Sequence, residues 1–336
     1  MNIYIKSFNR PFLLDKCLAS ITNFAKNFAG NIVIMDDGTP QKYLNKIQDK
    51  YPQVKIVKSE FYQKKSRAIE NDLESIKNIP SQFWKETIAR GSDYFVLIED
   101  DCWFCEPIDF KDIESQMKIF NLQLVKLLWM GNETLISNRI EKETTSLVIT
   151  NPKLFTKNPF LFDLIYRKKT CKIDVVLFHL GIPVEKNLLR YYQIYAVANA
   201  FFSKDYYLKA WGTTQNKVDE LAQIQQVIQI PNSDLNVAHS KKEWIKTSLK
   251  TTASKQNKEN LNADFEIYSL NKILNETWFN NKFEPFDFNT DISDIFIGTV
   301  IKQNNFPSDS FTNWQIWYNK LKQSYENIGC IIENDR

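Results

Sequence analysis

Glycine is scarce in this 336-residue chain: it occurs 8 times, about 2% of the residues against roughly 7% in average proteins. The eight glycines are never close neighbours, so the sequence has no P-loop, no G-x-G-x-x-G and no G-x-S-x-G in their usual forms. Histidine is rarer still, and two residues, His179 and His239, cannot form a multi-histidine metal centre. These absences exclude several common classes of nucleotide-binding protein, hydrolase and metalloenzyme.

The chain also lacks an excess of one charge, a long apolar run and a regular cysteine pattern. Its 43 basic and 40 acidic residues leave a net charge of +3, which does not indicate nucleic-acid binding. No run approaches ~20 apolar residues, and Lys6 and Arg10 interrupt the first apolar stretch, so we expect neither a membrane span nor a signal peptide. Five scattered cysteines favour a reducing compartment, and we expect the protein in the cytoplasm.

Strands and helices alternate through the first 101 residues. Short apolar runs bounded by turn residues predict strands, and stripes of apolar residues at helical spacing predict the helices between them. The predicted strands cover residues 2–6, 31–35, 54–57 and 94–98. This alternation predicts an α/β fold with a mostly parallel central sheet and helices on both faces.

The pattern weakens after residue 110, where we expect strands at 122–130, 146–150 and 195–202 and a helix at 218–228. Residues 251–262 are polar, and we place a domain boundary there. Beyond it, amphipathic segments predict a small helical C-terminal extension over 251–336. The first domain would then span 1–250, with halves of about 1–105 and 106–250.

Polar side chains follow three of the predicted strands at their carboxyl ends, where ligands bind in parallel sheets. They are the turn 7–10, the pair Asp36-Asp37, and the cluster 99–101. Two carboxylates separated by one residue can hold Mg²⁺ or Mn²⁺ and bridge it to a diphosphate. The tripeptide alone is equally compatible with a solvated acidic turn, but the buried run YFVLI in front of it favours a site at the sheet edge.

These three segments resemble the GT-A glycosyltransferases, most closely the large family-2 type. The matching motifs are IYIKSFNRP at 3–11, IVIMDDGTP at 32–40 and YFVLIEDD at 94–101, in the family's order and spacing. The resemblance covers about the first 105 residues. It implies a metal-dependent transfer of a sugar from a nucleotide-diphosphate donor to an acceptor hydroxyl.

Carried onto this sequence, the resemblance assigns roles to individual residues. Nucleotide contacts would come from Ser7, Asn9, Arg10, Asp36, Asp37 and Asp100. The metal would be held by Asp101 and Glu99, although Glu departs from the usual Asp at that position. The family's glycine-rich segment is missing, so Lys65 and Arg67 either replace it at the diphosphate or form a solvated basic patch.

The second half resembles the family less closely. Asp219 and Glu220 stand where the family has the general base, with the order of the acids reversed, and we choose Asp219 over Glu220. At most one of them can face the cleft, because neighbours on a helix point about 100° apart. His239 either completes the metal shell, as a late histidine does in some members, or is structural. We interpret His179 as a core histidine.

The resemblance implies Mn²⁺ or Mg²⁺ as cofactor, a UDP-sugar as the favoured donor, and a glycan or lipid-linked acceptor in bacterial surface glycan synthesis. Nucleic acid is not expected as a partner, and peripheral membrane association is left open. Two other functions stay open at this point. One is a non-catalytic protein that binds nucleotide sugars or glycans, and the other is a sugar-1-phosphate nucleotidyltransferase. The second would need a glycine-rich loop after the first strand, and SFNRP has none.

Overall fold

The structure of the protein is a computed structural model. The structure describes residues 1–73, 77–168, 184–212, 215–231, 235–252 and 265–332. The interpretation of His179, and most of the boundary segment 251–262, lie outside the described residues.

A nine-stranded sheet forms the centre of the molecule, in the order β4-β3-β1-β5-β11-β8-β12-β10-β9. Its strands are β1 (Asn2–Ser7), β3 (Ile32–Asp36), β4 (Lys55–Lys58), β5 (Tyr94–Glu99), β8 (Leu122–Lys126), β9 (Ile140–Glu143), β10 (Leu147–Thr150), β11 (Ala200–Ser203) and β12 (Asn236–Ser240). Only β10 and β11 run against the others. The predicted α/β class with a mostly parallel sheet is therefore confirmed.

Four short strands form two small accessory sheets. They are β2 (Ala25–Lys26) with β7 (Ile108–Asp109), and β6 (Cys102–Phe104) with β13 (Ile245–Thr247). The α-helices are α1 (Pro11–Phe24), α2 (Gln41–Lys50), α3 (Tyr62–Glu70), α4 (Ser81–Ala89), α5 (Phe110–Ile119), α6 (Pro159–Phe162), α7 (Val184–Leu189), α8 (Lys204–Ala210), α9 (Glu220–Val227), α10 (Ile267–Phe279), α11 (Asp294–Gln303) and α12 (Ser310–Asn327).

Alternation along the strands supplies two cores, one on each face of the sheet. In β1, Ile3 and Ile5 point into one core while Tyr4 points into the other. In β5, Val96 and Ile98 point into the first of these cores, and Phe95 and Leu97 point into the second. Because successive side chains of a strand point to opposite faces, a continuous apolar run is what a sheet covered on both sides requires.

The C-terminal segment is helical, as the sequence predicts, and packs onto the same face as α1. Leu270 and Trp278 of α10 and Trp314 of α12 belong to the hydrophobic core that contains Ile3 and Ile5. The domain boundary near residue 251 stays a prediction. What the structure adds is that the two proposed parts share one core.

Some element ends differ from the sequence expectation. The first helix ends at Phe24, because Ala25 and Lys26 leave it to pair with Ile108 and Asp109. The strand expected over 195–202 is limited to Ala200–Ser203. No helix in the described part of the chain combines the length and apolar character needed to cross a bilayer.

Candidate active site

The turn after β1 is held in place from several sides. Asn9 has a left-handed backbone (φ 52°) and is fully buried. Its N–H donates to Thr39 Oγ1 at 2.9 Å, and its carbonyl accepts from Asn271 and Asn275 of α10 at 2.8 and 3.1 Å. The C-terminal helices therefore position the first candidate nucleotide-contacting turn, because a buried carbonyl needs such partners.

Asp36 holds the second turn together through hydrogen bonds, and its predicted nucleotide contact stays a prediction. Its carboxylate accepts from the hydroxyl of Ser7 (2.9 Å), the hydroxyl of Thr39 (2.6 Å) and the N–H groups of Gly38 and Thr39 (3.0 and 2.8 Å). Both oxygens are used and the side chain is fully buried. Burial raises the pKa of Asp36, although these hydrogen bonds favour the charged form. The hydrogen bond between Ser7 and Asp36 thus joins the ends of β1 and β3 at this edge of the sheet.

Asp37 and Lys65 form a buried ion pair beside that turn. Lys65 Nζ contacts Asp37 Oδ2 and also donates to the carbonyl of Asn78, and Ser59 donates to Asp37 Oδ1 at 2.5 Å. Burial raises the pKa of Asp37 to about 6, against the opposing effect of Lys65. Lys65 therefore has a partner inside the protein, whereas Arg67 on the same helix is exposed.

The cluster after β5 is paired with Arg10. Its guanidinium donates from Nη2 to Asp100 Oδ1 at 2.5 Å and from Nη1 to Asp101 Oδ2 at 2.6 Å. The second Asp100 oxygen accepts from the N–H of Phe8 at 2.8 Å. Asp100 is 2% exposed, and burial raises its pKa to about 7 although Arg10 acts in the opposite direction. The first-strand turn and the acid cluster therefore form one electrostatic unit.

A metal fits this cluster through its carboxylate oxygens. In the part of the chain that the structure describes, Glu99, Asp101 and Cys102 bring three ligand atoms within 4.8 Å of one another. Burial raises the pKa of the Cys102 thiol well above its usual value, and soft sulfur ligands do not suit hard cations such as Mg²⁺ and Mn²⁺. Glu99 and Asp101 offer hard oxygen donors, which suit Mg²⁺ and Mn²⁺.

His239 lies on a strand three spacings away from β5, and the expectation that it completes the metal shell stays a prediction. It pairs in register with Lys126, which pairs with Ala200, which pairs with Leu97 of β5. Three strand spacings amount to about 14 Å. Its Nδ1 lies 2.7 Å from the carbonyl of Ser240, and its ring packs against Trp129.

The two candidate bases have separate surroundings. Asp219 caps α9 through the N–H of Ala222 at 2.9 Å and lies 3.5 Å from Arg167. Glu220 accepts from the hydroxyl of Tyr192 at 2.5 Å. The Glu220 charge also acts on Lys6, opposing the lowering of its pKa by burial. Asp219 therefore caps its own helix, whereas the charge of Glu220 reaches Lys6 at the sheet edge. Which of the two acids is the general base stays a prediction.

Two buried lysines at this edge were missed by sequence reasoning. Lys6 Nζ donates to the carbonyl of Val197 at 3.0 Å, lies 3.9 Å from Glu99 and packs over the ring of Trp84. Lys126 donates to the carbonyl of Tyr192 at 2.6 Å, and burial lowers its pKa to about 7. The available signal was a lysine within each of two mainly apolar runs, IYIK at 3–6 and LVKLLWM at 124–130. A buried lysine is rare unless it is paired.

Known proteins offer distant structural likenesses. No protein-family model matches the chain, and neither does any curated protein. The crystal structure of S. aureus TarS 1-349 is similar at 8% identity and a TM-score of 0.42, over 97% of this chain and 81% of that one. Glucosyl-3-phosphoglycerate synthase from Mycobacterium tuberculosis, in complex with Mn²⁺, UDP-glucose and phosphoglyceric acid, is similar at 12% identity and a TM-score of 0.32. That match covers 62% of this chain and 57% of the synthase. At these identities and scores, the function has to be judged from the site itself.

Proposed function

We propose that this protein is a glycosyltransferase that moves a sugar from a nucleotide-diphosphate donor to an acceptor hydroxyl. One observation carries the proposal. The turn 7–10, the Asp36-Asp37 turn and the acid cluster meet at one sheet edge, and the charge of Glu220 on α9 acts on Lys6 and Glu99 there. Donor-binding and proton-accepting groups are therefore next to each other, as group transfer to a hydroxyl requires.

The donor side of the site is negatively charged, and a metal would bind on that side. Glu99 and Asp101 would hold Mn²⁺ or Mg²⁺, which supplies Lewis-acid stabilisation of the leaving diphosphate. Arg10, already paired with Asp101, is a second cation within reach of the diphosphate. A UDP-sugar is the donor we propose, and the role is bacterial surface glycan synthesis in the cytoplasm.

The acceptor side depends on Glu220. We assign it the role of general base that accepts the proton of the attacking hydroxyl. Tyr192 donates to its Oε2 at 2.5 Å, and Oε1 would meet the acceptor. Lys6 lies 3.9 Å from Glu99, and the charge of Glu220 also acts on it, so this lysine links the two acidic centres.

The experiment compares Glu220→Gln with Asp219→Asn. A donor is first found by thermal shift with a panel of nucleotide sugars, with and without Mn²⁺, since a ligand at 100 times its Kd adds about 2.7 kcal/mol. Glu220→Gln should then bind that donor normally but lose about 10²-fold or more in transfer or donor hydrolysis. Asp219→Asn should keep both the rate and the stability, because asparagine caps a helix about as well as aspartate does.

The same experiment separates the alternatives. Donor binding without any turnover by the wild-type protein would indicate a non-catalytic nucleotide-sugar-binding protein. Release of pyrophosphate from a nucleoside triphosphate and a sugar 1-phosphate would indicate a nucleotidyltransferase. Equal rates for Glu220→Gln and the wild type would show that the base lies elsewhere.

A further inference from the structure

The buried face of α10 contains two asparagines among its apolar side chains. Asn271 and Asn275 are 0% and 1% exposed and lie about one helical turn apart, each directly after a core leucine, Leu270 or Leu274. Asparagine is mostly exposed in proteins, because burying an amide costs free energy unless its polar atoms find hydrogen-bond partners. Two amides on a helix face that packs into the core therefore need partners inside the protein.

Both amides donate to the same residue, Asn9 of the turn after β1. The carbonyl of Asn9 accepts from Asn271 Nδ2 at 2.8 Å and from Asn275 Nδ2 at 3.1 Å. Its side-chain Oδ1 also accepts from Asn275 Nδ2, at 3.1 Å. The hydroxyl of Thr251 donates to Asn271 Oδ1 at 3.2 Å, which orients that amide. The amide nitrogens of α10 are thus directed at the turn.

The turn depends on such support because of the backbone conformation of Asn9. Its φ is 52°, in the left-handed region, and the residue is fully buried. A residue with a Cβ keeps this conformation where its surroundings hold it there. On the opposite side, the N–H of Asn9 donates to Thr39 Oγ1 at 2.9 Å. Residue 9 is therefore held between the Asp36-Asp37 turn and α10.

The two residues that flank Asn9 both contact the acid cluster. The N–H of Phe8 donates to Asp100 Oδ2 at 2.8 Å. The guanidinium of Arg10 contacts Asp100 at 2.5 Å and Asp101 at 2.6 Å. A change in the backbone angles of residue 9 would move both neighbours relative to these carboxylates. The hydrogen bonds from α10 therefore act on the acid cluster through a single residue.

We propose that Asn271 and Asn275 are positioning residues of the candidate active site. By holding Asn9, they keep Arg10 on the acid cluster, and so they set how strongly that cluster binds a divalent cation. The C-terminal helices are then required by the site as well as by the core. The hold on Arg10 stands on the hydrogen bonds alone, whereas the effect on the cation rests on the metal site of the proposed function.

The test is a double-mutant cycle in the full chain between Asn275→Leu and Arg10→Gln. Leucine has nearly the shape of asparagine but donates no hydrogen bond. Asn275→Leu should therefore release the turn and raise the affinity for Mn²⁺ alone about 2- to 10-fold, the equivalent of one hydrogen bond. In the Arg10→Gln protein, the same substitution should leave the Mn²⁺ affinity unchanged, because no guanidinium is left to release.

Urea unfolding in metal-free buffer measures the same coupling without a cation. The destabilisation by Asn275→Leu should be at least about halved in the Arg10→Gln protein, because the two side chains act on one turn. The matched control is Asn280→Leu, since that amide is exposed just after the end of α10 and donates to the carbonyl of Glu276. It should change neither the Mn²⁺ affinity nor the coupling. Thr251→Val frees the Asn271 amide, and this milder variant replaces Asn275→Leu in both measurements where the latter does not fold.

Additive effects in either measurement would overturn the proposal, because the asparagines would then support only the core. Coupling in urea without any binding of Mn²⁺ would keep the positioning role and refute the metal dependence of the proposed function. Binding of Mn²⁺ without coupling would overturn the positioning role and leave the metal site in place.

Discussion

Arg10 is the resident cation of the acid cluster, and its removal should change how the protein binds a metal. Its two nitrogens contact Asp100 and Asp101 at 2.5 and 2.6 Å, and both carboxylates are largely buried, with 2% and 17% of the side chains exposed. A divalent ion that binds Asp101 has to compete with this guanidinium. The substitution Arg10→Gln removes the competitor and keeps a polar side chain.

The structure sets the size of the expected change. One hydrogen bond between charged groups contributes about 1.5–3 kcal/mol, and a metal on Asp101 breaks one of the two. Arg10→Gln should therefore raise the affinity for Mn²⁺ in the absence of nucleotide on the order of 10- to 100-fold. The same substitution leaves two buried carboxylates without their cation, which should cost about 3–5 kcal/mol of stability in metal-free buffer.

Calorimetric titration with Mn²⁺ measures the affinity, and melting with and without Mn²⁺ measures the stability. Mn²⁺ should restore more of the melting temperature in Arg10→Gln than in the wild type. Arg67→Gln is the matched control, because that guanidinium is exposed, and it should change neither quantity. Adding Asp101→Asn to Arg10→Gln should abolish the gain in Mn²⁺ affinity. Equal or weaker Mn²⁺ binding by Arg10→Gln would refute the idea that Arg10 and a metal share these carboxylates.

Two further predictions concern stability at the same edge of the sheet. Burial lowers the pKa of Lys126 to about 7, although the charge of Glu220 acts to raise it. His239 pairs with Lys126 on the neighbouring strand. The unfolded chain keeps that proton up to about pH 10.4, so the penalty for burying the charge is full below pH 7 and disappears as pH rises to 10. Lys126→Met should therefore raise the melting temperature most at pH 6 and least at pH 10, and a constant gain would contradict this. Gly38 has φ 142°, and an added Cβ would lie 2.5 Å from the Cβ of Lys65, so Gly38→Ala should cost about 1–3 kcal/mol in urea unfolding. An unchanged midpoint would show that the turn can relax.

The sequence by itself determined the elements of the first 101 residues. Runs such as those of β3 and β5 are short, apolar and closed by polar turns, so their length and neighbours identify strands buried on both faces. Alternation with helices then implies parallel strands, and parallel strands place their carboxyl ends at one edge. The convergence of Ser7, Asp36 and Glu99 could be predicted for this reason.

Only the tertiary structure decided what each side chain does at that edge. Arg10 meets Asp101, and Asn9 meets Asn275, across 91 and 266 residues of chain. Local periodicity contains no information on such pairs, because strand order and register are set by the packing of the whole sheet. The same applies to His239, which two intervening strands separate from the acid cluster, and to Glu220, whose partner Tyr192 comes from a different segment. The sequence therefore names the candidate groups, and the fold selects among them by distance and burial.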